Sequence, residues 1–414
     1  MHASGVRVAG SSLLVLSLLA CQTAEFGATV VTGSADPARD VGAVQAAVDA
    51  GGRVALRGTF DFGDRGRVLI RRDVEITGVD GATIRGGFFS LYSPVPETLP
   101  PAAPGPRIAI RNLRFDGALW APVNIGHASA LVVSGNRIGG VRPHPLPLPG
   151  VTDAQTMAGV LYGMAWAQGL SNRRYVPGVF TGPVRIENNV VELQPPRPEA
   201  TLGYGIYGQW SEGADTLIAG NRVSGASRTA FEAIDHYRGP DGSGRIVVRG
   251  NELATASAGL PFPGRQTPNG VLVGYFSDRK AGTDPARAVP IEIEGNRIEG
   301  RGPVSMGVAV LADGAVVKGN TVTTGGTTSL ALMVSGSGVQ VVGNTLRGSG
   351  AAALLFNPFD VFAASRNRVQ GNDFGGFRAE RGQVALNKGT ADNGCSGNAG
   401  LARVVDEGER NACR

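Results

Sequence analysis

"EIEGNRIEG", residues 292–300, sets Ile293 and Ile298 among polar neighbours on either side of a Gly-Asn corner. Apolar residues at alternate positions mark a strand. Glycine and asparagine tolerate the left-handed backbone that a tight corner needs. The unit recurs as "VVSGNRIGG" (132–140), "RIENNVVEL" (185–193), "LIAGNRVSG" (217–225), "VVRGNELAT" (247–255), "VVKGNTVTT" (316–324), "QVVGNTLRG" (340–348) and "RVQGNDFGG" (368–376). Its asparagines are Asn136, Asn189, Asn221, Asn251, Asn296, Asn320, Asn344 and Asn372, and the last four are spaced 24, 24 and 28 apart. A fixed period of this size is the signature of a repeat architecture. Asparagines stacked at successive corners can hydrogen-bond one another as a ladder.

Each repeat holds a second strand: "GYGIYG" (203–208), "AFEAID" (230–235), "NGVLVG" (269–274), "MGVAVL" (306–311), "LALMVS" (330–335) and "AALLF" (352–356). Short strands with no helix between them exclude a doubly wound sheet or an α/β barrel. The expected fold is all-β, a single-stranded right-handed parallel β-helix, which is a solenoid. At about 4.8 Å per coil, roughly ten coils make a rod on the order of 50 Å long. Upstream, "DPARDVGAVQAAVDAGGRVALRGTF" (36–60) predicts an N-terminal capping helix with Val41, Val44 and Val48 on one face, ended by Gly51 and Gly52. The strand "DVEITGVDGATIRGG" (73–87) follows. A capping helix, then "GGRVAL.GTF", then "VEITG…ATIRGG", then repeated "GNxI" units resembles the pectate-lyase-like β-helix superfamily over residues 36–390. That resemblance implies the fold and leaves the activity open, since the superfamily holds lyases, hydrolases, epimerases, esterases and non-enzymes.

The ends of the chain carry export signals. Residues 1–20 hold Arg7, no acid and an apolar run from Val8 to Leu19, the shape of a signal peptide. The run ends in "LSLLAC" (16–21), which resembles a bacterial lipobox and makes Cys21 the expected lipidated residue. Gln22 after it weakly resembles an outer-membrane sorting signal. Residues 21–35 read as a tether, and 391–414 as a C-terminal cap. Cys395 and Cys413 are the remaining cysteines, and in an oxidising compartment a disulfide between them is expected. It closes a loop of about 19 residues and contributes on the order of 3 kcal/mol. The net charge is +5, yet all but three of the 39 basic residues are Arg. A basic surface favours an anionic polysaccharide, and no dense basic run points to nucleic acid.

Function in a solenoid collects on long loops along one face. The middle repeats carry the long ones, "AQGLSNRRYVPGVFTGP" (167–183), "HYRGPDGSG" (236–244) and "YFSDRKAGTDPARAVP" (275–290). Counting five residues on from Gly205, Glu232 and Gly270 gives Trp210, Tyr237 and Tyr275, with Trp166 close to the same slot one coil earlier. Two readings stand. Either this aromatic column lines an exposed groove fringed by Gln209, Asp278 and Arg279, or it points inward as core, because a one-residue slip exchanges the faces. The stretch "AIDHYRGPDG" (233–242) partly resembles the "W-I-D-H … D-G" segment of pectate lyases, although the Arg-x-Pro-x-x-Arg motif of that family is missing. For β-elimination from a uronic acid, His236 is the candidate base, Tyr237 the acid, Arg238 or Arg279 the neutralising cation, and Asp235, Asp241 and Asp278 candidate ligands for Ca²⁺, the one cofactor considered. For hydrolysis, Asp235 and Asp278 are the candidate pair of carboxylates. A solvated loop is the alternative, with Asp235 serving turn amides and Arg238 paired to it.

The sequence therefore describes an exported, lipid-anchored monomer, touching the membrane only through its anchor, that binds or processes an extracellular polysaccharide. The alternative class is a non-catalytic envelope scaffold or adhesin.

Overall fold

Each coil turns at a residue held near φ +60°, and that residue is Gly135, Gly220, Gly250, Gly295, Gly319, Gly343 and Gly371 in successive units. Where the sequence reads Asn-Asn instead of Gly-Asn, Asn188 adopts the same backbone at φ +57°. Asparagine is the side chain best suited to replace glycine there. In the structure, a computed structural model of the 414-residue chain, residues 27–95, 104–145, 155–163, 178–180, 182–256, 267–275, 288–359 and 362–413 are described. They form the right-handed parallel β-helix expected, with three faces.

The first face stacks Arg107–Arg111, Ala130–Ser134, Val184–Glu187, Asp215–Ala219, Arg245–Arg249 and Ile291–Glu294 in parallel register. After the corner, Arg137–Gly139, Val190–Glu192, Arg222–Ala226, Glu252–Thr255 and Arg297–Gly300 stack as the second. The third joins Gln155–Tyr162, Thr201–Glu212, Thr229–Tyr237, Asn269–Gly274, Met306–Leu311 and Leu330–Val334. Alternation sends every second residue into the lumen. Ile110, Val133, Ile186, Ile218, Val248 and Ile293 thus form one buried file. Each such side chain contributes roughly 1.5–3 kcal/mol by leaving water.

The corner asparagines form a continuous ladder. Nδ2 of each donates to Oδ1 of the next from Asn136 through Asn189, Asn221, Asn251, Asn296, Asn320, Asn344 and Asn372 to Asn398, at 2.9–3.0 Å. The backbone N–H of each donates to that same Oδ1, and the second Nδ2 proton goes to a strand carbonyl, as from Asn251 to Ile218. Asn398 completes the series beyond the eight repeats legible by eye. A shorter ladder, Asn393 to Asn411, runs at the C-terminal end.

Helix α1, Pro37–Ala50, covers the N-terminal end. Asp36 is its N-cap, accepting from Ala38 N at 3.0 Å, Pro37 is its first residue, and Gly51 ends it at φ +75°. Val44 and Val48 are buried on the end of the core, and Val41 is half-buried. Gln45 doubles as a strand, accepting from Leu69 N at 2.7 Å and donating to Leu69 O at 3.0 Å. Asp40 accepts from Ser34 N, Ser34 Oγ, Asp36 N and Asp61 N. Burial raises its pKa, but these bonds outweigh burial and leave it below the ordinary value. Ala28–Thr32, expected to be tether, is instead a strand parallel to Gly52–Asp61, consistent with the β-branched run Thr29-Val30-Val31-Thr32. At the other end Cys395 and Cys413 form a disulfide, with Cα atoms 4.5 Å apart.

The ladder gives a graded expectation. Asn296→Ala leaves Asn251 N and Nδ2 without their acceptor in the middle of the rod, and should cost about 2–5 kcal/mol in denaturant unfolding. Asn398→Ala at the half-buried end should cost about 1 kcal/mol. Equal costs at the two positions would mean that the ladder is not a cooperative element.

Candidate functional site on the outer face of the third sheet

On the third face Val160, Ile206 and Phe231 point into the lumen, so Leu161, Tyr207 and Glu232 between their neighbours point outward. These outward residues are nevertheless as buried as the core. Leu161 and Tyr207 belong to a second apolar cluster outside the lumen, with Phe89, Tyr92, Trp120 and Tyr204. Gly205 explains how Tyr204 and Tyr207 come to share one side. A Cβ there would lie 2.2 Å from Val223 Cγ1 and 2.4 Å from Ala230 O. The tight corner at this glycine breaks the alternation, so residues three apart stack, with ring centroids at 4.3 Å and planes 9° apart.

One coil on, Thr229 and Glu232 occupy the positions of Tyr204 and Tyr207. Thr229 Oγ1 donates to Glu232 Oε2 at 2.6 Å. Arg228, 8% exposed, lies against Glu232, 3% exposed, with Nε 4.0 Å from Oε2. Its Nη1 donates to Thr267 O at 3.1 Å, and Tyr204 supplies a further hydrogen bond. Arg228 Nε and Asn269 Oδ1, one coil apart, are buried without hydrogen-bond partners. Tyr207 donates to Gln209 Oε1 at 2.8 Å. Burial pushes the Glu232 carboxyl up, against the pull of Arg228 and of Thr229. Burial works against the Arg228 cation, and the Glu232 charge and the two tyrosines hold it in place. The arrangement is a buried cation beside a carboxyl biased towards its protonated form, walled by phenols.

The polar stretch singled out in the sequence is distributed otherwise. Asp235 sits at φ +59°, a left-handed residue inside a strand, while the pairing with the preceding coil continues past it in the same register. His236 is turned into the interior, 2% exposed, with its ring edge-on to Tyr162 at 5.6 Å and Nδ1 3.1 Å from Ile234 O. It is therefore not placed as a base open to solvent. Tyr275 is core, 5% exposed, donating to His236 O at 2.5 Å and accepting from Val289 N at 2.8 Å. Tyr237 packs half-buried on Tyr275, and its hydroxyl lies 3.4 Å from Asp235 Oδ1. Tyr275 thus follows the inward reading, while Tyr237 is half-buried against the core. Arg238 is exposed and donates to Ala288 O. Asp241 accepts from Ser243 N in a surface turn. Among the described residues no three His, Cys, Asp or Glu side chains converge to hold a metal ion. Trp166, Asp278 and Arg279 lie outside the described residues, as does the side chain of Trp210.

Arg228 and Glu232 were missed as a pair, although the signal was present. A glutamate inside the otherwise apolar strand "TAFEAI" (229–234) is a charge where alternation supplies no polar face. A second surface, a groove of about 340 Å³ over Arg222, Glu252, Arg297, Glu299 and Arg301, holds solvent-exposed pairs such as Arg301 with Glu299 at 2.9 Å. Exposed pairs of this kind contribute little.

The interior histidine predicts a pH dependence. Burial lowers the His236 pKa from 6.5 to about 4, only partly offset by Ile234 O. The unfolded chain therefore takes up this proton first as pH falls. The stability is fully present above the unfolded value and is lost as pH falls towards the folded one, by about 3 kcal/mol in all. His236→Phe keeps a ring against Tyr162 and removes the titration. Its unfolding free energy should change less than the wild type's across this window, and parallel curves for the two proteins would refute the placement.

No known family profile matches the sequence, and no curated protein matches it. Among solved structures, the chain is similar to the periplasmic alginate epimerase AlgG at 10% identity, covering 83% of this chain and 76% of that one, with a TM-score of 0.36. It is similar to PfbA, a surface adhesin of Streptococcus pneumoniae, at 10% identity over 89% and 90%, with a TM-score of 0.44. It is also similar to the A-module of the Azotobacter vinelandii mannuronan C-5 epimerase AlgE4, at 11% identity over 90% and 95%, with a TM-score of 0.34. Likeness at this level concerns stacked coils and says nothing of chemistry. The protein is a right-handed parallel β-helix.

Proposed function

We propose that the protein is exported, anchored by a lipid on Cys21, and binds and processes an extracellular anionic polysaccharide on the outer face of the third sheet. The observation that carries this reading is the buried Arg228–Glu232 pair within an aromatic strip. Aromatic faces suit the C–H faces of sugar rings. Arg228 supplies the cation that neutralises a uronate carboxylate and stabilises the negative charge developing beside it. Glu232, biased towards its protonated form, is suited to give a proton to the leaving glycosidic oxygen. Tyr204 and Tyr207 stand beside Arg228, and one of them, ionised to the phenolate beside that cation, would receive the sugar C–H proton as the glycosidic C–O bond breaks and Glu232 protonates the leaving oxygen. Elimination is the reaction these groups suit, since it needs a neutralised carboxylate, a proton acceptor and a proton donor.

Two experiments test the reading. A soluble form lacking residues 1–21 should release unsaturated ends, read by ultraviolet absorbance, from polygalacturonate or alginate and not from neutral polysaccharide. Glu232→Gln keeps a partner for Thr229 and removes the proton, so turnover should fall about 10²–10⁴-fold with binding little changed. Wild-type turnover in that variant would remove Glu232 from the chemistry, and no product from any uronate polymer would leave a non-catalytic scaffold or adhesin as the better account. Separately, "LSLLAC" (16–21) predicts that Cys21→Ser moves the protein from the membrane to the soluble fraction. Unchanged fractionation would remove the lipid anchor from the proposal.

A further inference from the structure

The outer strip continues N-terminally from Tyr207 through Leu161 to Asn124 and Tyr92, one residue per coil. Asn124 is fully buried, and neither its Nδ2 nor its Oδ1 has a hydrogen-bond partner. A buried amide left unmet costs about 1–3 kcal/mol. The fold does not require it, since the neighbouring coils place Tyr92 and Leu161 in the same file. Strain lies beside it. Phe89 at φ +49° and Trp120 at φ +71° are bulky residues in the left-handed region on adjacent coils, a conformation that costs on the order of 1–3 kcal/mol each and gathers at ligand sites. Their rings are 4.8 Å apart, and His144 stacks on Trp120 at 4.8 Å and 12°. The local cation, Arg67, is already engaged. Its guanidinium lies 4.7 Å from the Phe88 ring and 4.8 Å from Tyr92, and its Nε donates to Phe88 O.

We propose that Asn124, with the Tyr92 and Trp120 walls, is a second subsite that takes a vicinal diol of a neutral pyranose. The amide offers one donor and one acceptor in a plane, the pattern of two adjacent hydroxyls. The rings receive the C–H face of the sugar. Arg67 is held by the Phe88, Phe89 and Tyr92 rings, so among the described residues here no free cation selects for a carboxylate, which separates this subsite from the one at Arg228. The file from Tyr92 to Glu232 spans four coil steps, about 19 Å, so one polymer can lie across both. The inference shares with the proposed function the reading that this face binds carbohydrate, and its test is separable.

Cellohexaose, mannohexaose and xylohexaose are titrated calorimetrically into the soluble form. At least one should bind. Asn124→Leu, apolar like Leu161 in the next coil, should weaken that binding by about tenfold or more while the melting temperature holds or rises, since an unmet amide is removed. Tyr92→Leu is the second variant and should weaken the same ligand. Binding of no hexasaccharide overturns the subsite, as does unchanged affinity in Asn124→Leu. Uronate products without hexasaccharide binding would sink this inference and leave the proposed function standing. Hexasaccharide binding without uronate products would do the reverse.

Discussion

The rod depends on one side-chain interaction, the amide-to-amide hydrogen bond between asparagines at successive corners. A corner places a left-handed residue next to an inward polar side chain, which is costly in isolation. Stacking makes it tolerable, because each Asn amide meets the next at 2.9–3.0 Å and also caps backbone groups that the turn leaves open. Buried polar networks stabilise only when every member is satisfied. The ladder therefore sets the coil spacing, and the apolar files fill the lumen that it defines. Both ends need other chemistry. Helix α1 and the Asp40 carboxylate close one, and the Cys395–Cys413 bridge with Asn411 closes the other.

The fold was legible because its signal repeats. Eight "GN" or "NN" corners with alternating neighbours specify strands, turns and stacking together. The proposed site was less legible, because its residues sit where alternation fails. Gly205 and Asp235 each reset the pleat by one residue, and after such a reset, parity counted along the sequence assigns side chains to the wrong face. His236, the candidate base, lies inward, and Tyr275 follows the inward of its two readings. Tyr204 and Tyr207 differ in parity, and both lie outward. Residue type alone could not resolve this, since Tyr and His are accommodated in a core or a groove. Glu232 was readable in principle, since no regular strand position explains it.

The interior of the rod is not wholly apolar. Tyr162 Oη and Thr216 Oγ1 are buried facing one another, and His236 Nε2 is buried without a hydrogen-bond partner. Gly208 is what admits the Tyr162 ring, whose Cζ would lie 2.0 Å from a Cβ at that position. Burial pushes the Tyr162 hydroxyl up and the imidazole down, so both stay neutral. Neutrality is the condition on which such groups can sit in a lumen. The same coils carry the charged pair on the outside, so this segment holds polar groups on both faces of one sheet.

That concentration is an argument about purpose. A buried ion pair is weak support for stability, and well-packed apolar residues in its place are often neutral or stabilising. This protein contains the comparison. Where coil after coil presents the same outward corner, Thr229 and Glu232 are followed in register by Asn269 and Leu272, then Met306 and Ala309, then Leu330 and Met333. The aliphatic versions build the same corner in the same sheet without a charge, so the solenoid has no need of Arg228 or Glu232. Desolvating both, with Arg228 Nε left without a hydrogen-bond partner, is a cost the fold could have avoided. A cost of that kind, set in an aromatic strip on the outer face, is what the proposed ligand would offset by completing it.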